Sequence, residues 1–333
     1  RASIFKSIDN PMIARIQQLS TLALLLVSIL WAAYFWYRGN QILGLAAPVL
    51  VLIGYAMFLG VEFLLSALLG GESAGSPRAR WPELARAWLG EIRRTPAVFC
   101  WRQPFRSAKE PDLLTSDASG RRGVVLVHGF VCNRGFWNPW MEILRRRGIP
   151  FVAVNLEPPF GSISAYPAII GAAARTIEAA TGKLPVLVAH SMGGLAVRAW
   201  LVDCPRSRAH RVITIASPHR GTWLARFGRA LNTIEMRLSS DWIRTLERRE
   251  GAVDRNRFTC FYSNCDNIVF PTINATLPGA DNRHLPATAH VQMAQHPDVM
   301  REVLKWIAPA TEPADAEPGR FGAAGSKDRP LRG

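Results

Sequence analysis

Ser191 stands in the run Ala189-His190-Ser191-Met192-Gly193, behind the apolar stretch PVLVAH (185–190) and ahead of a helical pattern. A serine thrust out of a sharp strand-to-helix turn occupies strained backbone, so the residues two before and two after it must be small. Here they are Ala189 and Gly193, and Gly194 leaves room for close helix packing. The pentapeptide alone is weakly specific, because a Gly-rich loop that merely starts a helix has the same letters. The strand before it and the helix after it supply the context that points to a nucleophile. Such a serine transfers acyl groups when a base takes its proton, an acid orients the base, and N–H groups receive the charge of the tetrahedral intermediate. Carboxylates at Asp241, Asp254, Asp266 and Asp281, and imidazoles at His284, His290 and His296, are available downstream.

The elements that must position these groups alternate along the chain. GVVLVH (123–128), FVAVNL (151–156), PVLVAH (185–190), RVITIAS (211–217) and FTCFYS (258–263) read as buried strands, and His284 falls in a further short one. Residues 137–147, 168–180, 193–203, 223–249 and 297–307 read as helices. Continuous apolar strands alternating with helices predict an α/β fold with a parallel sheet covered on both faces.

From about Val124 to Ile307 the chain resembles an α/β-hydrolase of the bacterial lipase/esterase type. VVLVHGF (124–130), AHSMGG (189–194), SPHRGT (217–222) and the SNCDNIVFP to TAHVQM tail (263–293) carry the resemblance. The departure is Ala189, where most members have Gly; it adds one methyl. The resemblance implies an α/β-hydrolase fold in which nucleophile, acid and histidine follow in that order. It implies Ser191 as nucleophile, Asp266 in the short loop after FTCFYS as acid, and His290 between a short strand and the last helix as base. His296, beside Pro297, then reads as a helix cap. The implied oxyanion hole is the backbone N–H of Phe130 and of Met192, with His128 ordering its loop and His190 packing in the elbow. His219 and Arg220 read as structural. Many such enzymes insert a cap where 223–249 lies, which makes Trp223 and Phe227 the candidates for a substrate-binding wall. This chemistry implies no cofactor and no metal, and the sequence holds no ligand cluster, phosphate loop or dinucleotide fingerprint. The expected activity is hydrolysis of carboxylic esters, lipid-like ones above all. The same machinery serves an acyltransferase, a thioesterase or a phospholipase, because the fold does not choose the acyl acceptor. An inactive membrane-bound scaffold is the alternative outside enzymology, and an intact Ser, Asp and His speak against it.

Two apolar runs precede this domain. LSTLALLLVSILWAAYFWY (19–37) carries no charge and spans about 28 Å as a helix. Residues 42–69 contain a single charge, Glu62, which reads as a carboxylate tolerated near the interface. Each run is long enough to cross a bilayer, and the link Arg38-Gly39-Asn40-Gln41 makes a two-helix transmembrane hairpin the natural reading. A signal peptide fits poorly, since no small-residue cleavage site follows and a second span comes at once. Trp31, Tyr34, Phe35, Trp36 and Tyr37 suit an interfacial belt at the connecting end. Arg1, Lys6 and Arg15 before the hairpin, and Arg78, Arg80 and Arg86 after it, outnumber Arg38 in the link. The positive-inside rule then predicts a multi-pass inner-membrane protein with its catalytic domain in the cytoplasm. The expected organisation is a basic leader (1–18), the two spans (19–37 and 42–69), a linker (70–120), the catalytic domain (121–307) and a disordered tail (308–333). An amphipathic piece at 82–94 in the linker suits either the headgroup plane or a cap on the domain.

Composition narrows the partners. With 49% hydrophobic residues in 333, the chain is too apolar to be disordered. The net charge of +15 raises nucleic acid as a partner. It is spread evenly, however, as 12 Lys/Arg against 5 Asp/Glu before residue 110 and 28 against 20 from there on. No basic stripe with interleaved aromatics results, and an anionic membrane surface is the simpler partner. Five scattered cysteines without a C-x-x-C argue against a disulfide scaffold or a thiolate zinc site.

Overall fold

Strands that are apolar on both faces can be buried only between two helical layers, and that is the arrangement the chain adopts. The computed structural model describes residues 11–71, 77–114, 121–203 and 209–307. Most of the expected leader, the expected tail, parts of the expected linker and Cys204 lie outside those residues. The first helices are α1 (Met12–Tyr37), α2 (Gln41–Leu69), α3 (Trp81–Pro96) and, after a π-helical turn at Ala97–Arg102, the short α4 (Gln103–Phe105). The strands are β1 (Val124–Val127), β2 (Phe151–Ala153), β3 (Val186–His190), β4 (Arg211–Ile215), β5 (Phe258–Tyr262) and β6 (Asp281–His284). They form one parallel sheet in the order β2-β1-β3-β4-β5-β6. Helices α5 (Asn138–Arg146), α6 (Pro167–Thr181), α7 (Met192–Asp203), α8 (Leu231–Glu235), α9 (Asp241–Arg249), α10 (His290–Met293) and α11 (Pro297–Ile307) complete the described chain.

Period-2 alternation sorts the strand residues between two cores. Val125, Val127, Leu187, Ala189 and Val212 face Ile170, Leu195 and Trp200 on one side. Val124, Leu126, Val186, Val188 and Ile213 face Trp140, Met141, Val299 and Val303 on the other. Each of the Val, Leu and Ile side chains among them, fully buried, contributes about 1.5–3 kcal/mol. Register then fixes what leaves the sheet together. Val127 pairs with Ala189, so the His128-Gly129-Phe130 turn emerges beside the Ser191 elbow. Tyr262 pairs with His284, so the loops that follow β5 and β6 emerge side by side.

The two apolar helices are long enough to cross a membrane and apolar enough to do so. At 26 and 29 residues they measure about 39 and 44 Å. The Arg38–Asn40 turn reverses the chain: Gly39 takes φ +74°, and the Asn40 side chain accepts from Leu43 N–H at 3.1 Å. Trp31 Nε1 donates to Leu43 O at 2.7 Å across the pair. Large apolar side chains along both helices, from Leu19 to Leu68, stay exposed. α1 begins seven residues before the expected span, because its first turns dock on the domain, with Ile13 and Ala14 buried.

One expectation needs correction. The stretch 223–249 is not one helix but a 3₁₀ piece at Trp223–Phe227, then α8, then α9. Gly228 ends the first piece in extended conformation, Ser239 turns left-handed at φ +49°, and Ser240 caps α9 by accepting from Ile243 N–H. The expected linker holds two packed helices: α3 buries Leu84, Ala87, Gly90 and Glu91, and α4 buries Gln103 and Pro104. Of the two places that suited the amphipathic piece at 82–94, α3 takes the one on the domain, with Leu84 and Ala87 packed among Cys265 and Ala289.

Candidate active site

The elbow is as tight as its residue types require. Ser191 follows β3 with φ +53°, a left-handed conformation of the kind that carries about 1–3 kcal/mol of strain in a non-glycine residue. Its N–H donates to Ile215 O at 2.9 Å, and its C=O accepts from Gly194 N–H at 3.0 Å as α7 begins. A Cβ on Gly193 would lie 2.6 Å from His128 O and 2.8 Å from Val127 O. One on Gly194 would collide with Ser217 Oγ and lie 2.6 Å from Ser217 Cβ, so both glycines answer to close approach. From the facing loop, a Cβ on Gly129 would meet Ser191 Cβ at 2.8 Å. The backbone of Phe130 therefore leaves β1 directly beside the elbow that Met192 continues.

Asp266 and His290 meet. His290 Nδ1 lies 3.0 Å from Asp266 Oδ1 and 3.1 Å from Oδ2, with both residues buried. Asp266 Oδ1 also accepts from Ile268 N–H at 2.8 Å and Val269 N–H at 2.9 Å, which fixes the carboxylate before the imidazole arrives. Burial by itself pushes the His290 imidazole down. The charge and hydrogen bond of Asp266, followed by Glu91 and Glu62, outweigh that and hold it above its ordinary value. The Asp–His contact fixes the proton on Nδ1 and leaves Nε2 with its lone pair free of a proton.

The other histidines are settled by their partners. His128 Nε2 accepts from Leu156 N–H at 3.0 Å, so Nδ1 carries the proton and donates to Gly129 O at 2.9 Å. Burial pushes its pKa down to about 4, which keeps it neutral as a loop brace. His190 stacks on Phe136 and donates from Nε2 to His290 O at 3.1 Å. His219 is fully buried against Thr214 Oγ1. Its carbonyl accepts from Arg198, which forms a buried bidentate pair with Glu250 at 2.7 Å. His296 Nδ1 accepts from Asp298 N–H at the start of α11. The rival acids stand apart: Asp241 pairs with Arg244 and Asp254 with Arg257 at the surface, and Asp281 with Arg283. Trp223 stacks on Phe270, four residues past Asp266, while Phe227 packs edge-on against Trp223 and is 67% exposed. Among the described residues, no group of three or more His, Cys, Asp or Glu is arranged to hold a metal ion.

Three residues around this pair were not singled out for the site in the sequence. Glu91, on α3, is buried and accepts from Val291 N–H at 2.9 Å and Gln292 N–H at 3.1 Å, the free donors at the start of α10. Its burial lifts its pKa to about 7 despite those two bonds. Asn267 accepts from His290 N–H at 3.2 Å. Glu62, read from sequence as a carboxylate tolerated near the interface, is buried, with Oε2 2.7 Å from Asn267 Nδ2. A lone carboxylate in 28 apolar residues was a signal, but its partner lies 205 residues away.

A parallel sheet carrying an elbow between β3 and α7, with a carboxylate and a histidine after its last two strands, defines a class, and the chain belongs to the alpha/beta hydrolase family, whose model matches residues 124–322. Among solved structures, the mature form of Bacillus licheniformis lipase BlEst2 superposes with a TM-score of 0.51 at 17% identity, covering 57% of this chain and 93% of that one. Aspergillus fumigatus lipase B gives 0.44 at 19% identity over 66% of this chain and 56% of that one. Paleococcus ferrophilus monoacylglycerol lipase gives 0.42 at 16% identity over 57% and 96%. At 17% identity the likeness to BlEst2 is one of fold. No curated protein matches the chain by sequence.

Proposed function

We propose that this chain is a membrane-anchored serine hydrolase that cleaves carboxylic esters of lipid-like substrates at the bilayer surface. The observation that carries the reading is the buried Asp266–His290 contact at 3.0 Å, on loops that leave the sheet on the same side as the left-handed Ser191. In this reading Ser191 Oγ attacks the ester carbonyl while His290 Nε2 takes its proton, and Asp266 stabilises the resulting imidazolium. The N–H groups of Phe130 and Met192 receive the oxyanion. Collapse of the intermediate expels the alcohol, which leaves with the proton from His290. Water then repeats the sequence on the acyl-serine, releasing the acid and restoring Ser191.

Lipid-like substrate is favoured by what surrounds the site. The exposed apolar lengths of α1 and α2 cover the two spans of the hairpin, whose far ends seat on the catalytic domain at 121–307. Phe160, Phe227, Leu231 and Ile234 are exposed on segments joined to one another and to the acid loop: Asn232 bonds Pro159 O, and Trp223 N–H bonds Phe270 O. In this reading 223–249 is the cap, and Trp223 and Phe227 wall the acyl site. The basic residues outside the spans favour the cytoplasmic side for the domain.

A p-nitrophenyl ester series from acetate to laurate, run with the full chain in detergent, tests the activity. Turnover that favours the longer acyl chains is expected, and no hydrolysis of any member refutes the reading. For the membrane side, alkaline phosphatase fused after Leu69 should be inactive, and a fluorescent protein that folds only in the cytosol should glow there; the reverse pattern refutes the cytoplasmic placement.

A further inference from the structure

We infer that the second apolar helix is part of the catalytic machinery: Glu62 and Ser66 are positioning residues that hold the loop of Asp266 and, through Asn267, the backbone of His290. The inference rests on the triad proposed above and goes beyond it. An anchor needs only length and apolarity, and any flexible tether would join it to the domain. α2 does something more specific at its last turns. Glu62, Ser66 and Gly70 follow one another at intervals of four, so they share one face of the helix. All three bond to the segment between Asp266 and Thr272.

Glu62 Oε2 receives Asn267 Nδ2 at 2.7 Å, Ser66 Oγ donates to Asp266 O at 2.7 Å, and Gly70 O accepts from Thr272 N–H at 3.1 Å. The first of these bonds has a consequence for His290. An asparagine amide offers donors on one side and an acceptor on the other. With its NH₂ drawn to the carboxylate, Asn267 must present Oδ1 the opposite way, where His290 N–H meets it at 3.2 Å. That N–H is one of the free donors at the start of α10, and without Asn267 oriented it would have no acceptor in a buried place. Glu62 thus selects the asparagine orientation that ties His290 to Asp266's own loop.

The first apolar helix grips the opposite side of the site. Gln17 Nε2 donates to Val131 O at 3.1 Å, one residue beyond Phe130. The two helices therefore bracket the elbow, one at the proposed oxyanion loop and one at the acid loop. Burial agrees: Glu62 and Ser66 are 8% and 4% exposed, whereas most of the same helix is open.

The test uses the full chain in nanodiscs, with p-nitrophenyl butyrate turnover, fluorophosphonate labelling of Ser191 and thermal unfolding measured on each variant. Glu62→Ala should lower kcat about 10- to 100-fold, because sub-ångström displacement of a base is enough for losses of that size, while KM stays within about twofold. Glu62→Gln still offers an oxygen to Asn267 Nδ2 and should keep kcat within about threefold. Ser66→Ala, which removes one bond and no charge, should lose about threefold or more in kcat, and it carries the test if Glu62→Ala fails to fold. Folded Glu62→Ala or Ser66→Ala with wild-type kcat overturns the inference, as does equal loss in Glu62→Ala and Glu62→Gln. Wild-type protein that takes no fluorophosphonate at Ser191 overturns the hydrolase reading itself. A labelled wild type beside an equally fast Glu62→Ala overturns only the role of α2.

Discussion

Gly193→Ala adds one methyl at the point where α7 leaves the elbow. Its Cβ would lie 2.6 Å from His128 O and 2.8 Å from Val127 O, main-chain atoms at the end of β1 that cannot swing aside as a side chain does. Either α7 tilts away from the sheet or the end of β1 yields by several tenths of an ångström. Both movements shift Ser191 relative to the backbone of Phe130. Overpacking of this kind costs about 1–3 kcal/mol. Alanine in place of glycine in a helical turn returns at most about 1 kcal/mol. The net loss is about 0–3 kcal/mol, and at about 2–4 °C per kcal/mol for a domain of this size the variant should stay folded at room temperature. Activity should fall far more, by about 100-fold, because the reaction depends on ångström-level alignment. Scanning fluorimetry and p-nitrophenyl butyrate turnover on the full chain measure both. The opposite change, Ala189→Gly, introduces no contact with β1 and should keep turnover within a few-fold. A Gly193→Ala protein with unchanged Tm and unchanged kcat refutes the argument that this close approach sets the site.

Asp266→Asn should lower kcat by about 10⁴-fold, since an amide cannot hold the same imidazole tautomer. Asp241→Asn and Asp254→Asn, at the surface beside arginines, should stay within twofold, and the opposite result puts the acid elsewhere. His290 acts as a base only when neutral and is held above its ordinary 6.5, so kcat/KM should rise with pH through a midpoint above 6.5; a midpoint below it contradicts the assignment. Glu91 titrates at about 7 in the fold against an ordinary 4.5, so the native state binds its proton more tightly. That contribution to stability is complete below about pH 4.5 and is lost as pH rises through 7. Compared with Glu91→Gln in chemical denaturation, wild type should therefore lose up to about 3 kcal/mol between pH 5 and pH 8. A gap that does not change with pH refutes the burial argument.

Strands β1 to β5 were legible because they are apolar on both faces, which marks them as buried, whereas the polar, partly exposed β6 carries no such signal. Ser191 was legible because the elbow is local: the strand, the strained turn and the small neighbours are all within ten residues of sequence. Asp266 and His290 could be read only through chain order and resemblance, since the pairing of Tyr262 with His284 that brings their loops together is a long-range fact. The breaks inside 223–249 were harder, because α9 has strong helical periodicity and the interruption depends on Gly228 and a left-handed Ser239. Least legible were the supports of His290. Glu91 sits among charges on an amphipathic helix whose polar face looks solvated, and only its contact with the start of α10 buries it. Asn267 carries no signal of its own. Glu62 carried one, the cost of a carboxylate in an apolar run, but local sequence cannot name a partner that topology alone brings near.

In the proposed chemistry Ser191 is a nucleophile activated by His290. Incubating the full chain with a fluorophosphonate, followed by peptide mapping, tests it most directly. A single stoichiometric adduct on Ser191 is expected, its formation slowed at least about 10³-fold in His290→Ala and absent in folded Ser191→Ala. An unlabelled Ser191 in folded wild-type protein, or labelling at another residue that survives Ser191→Ala, would contradict it.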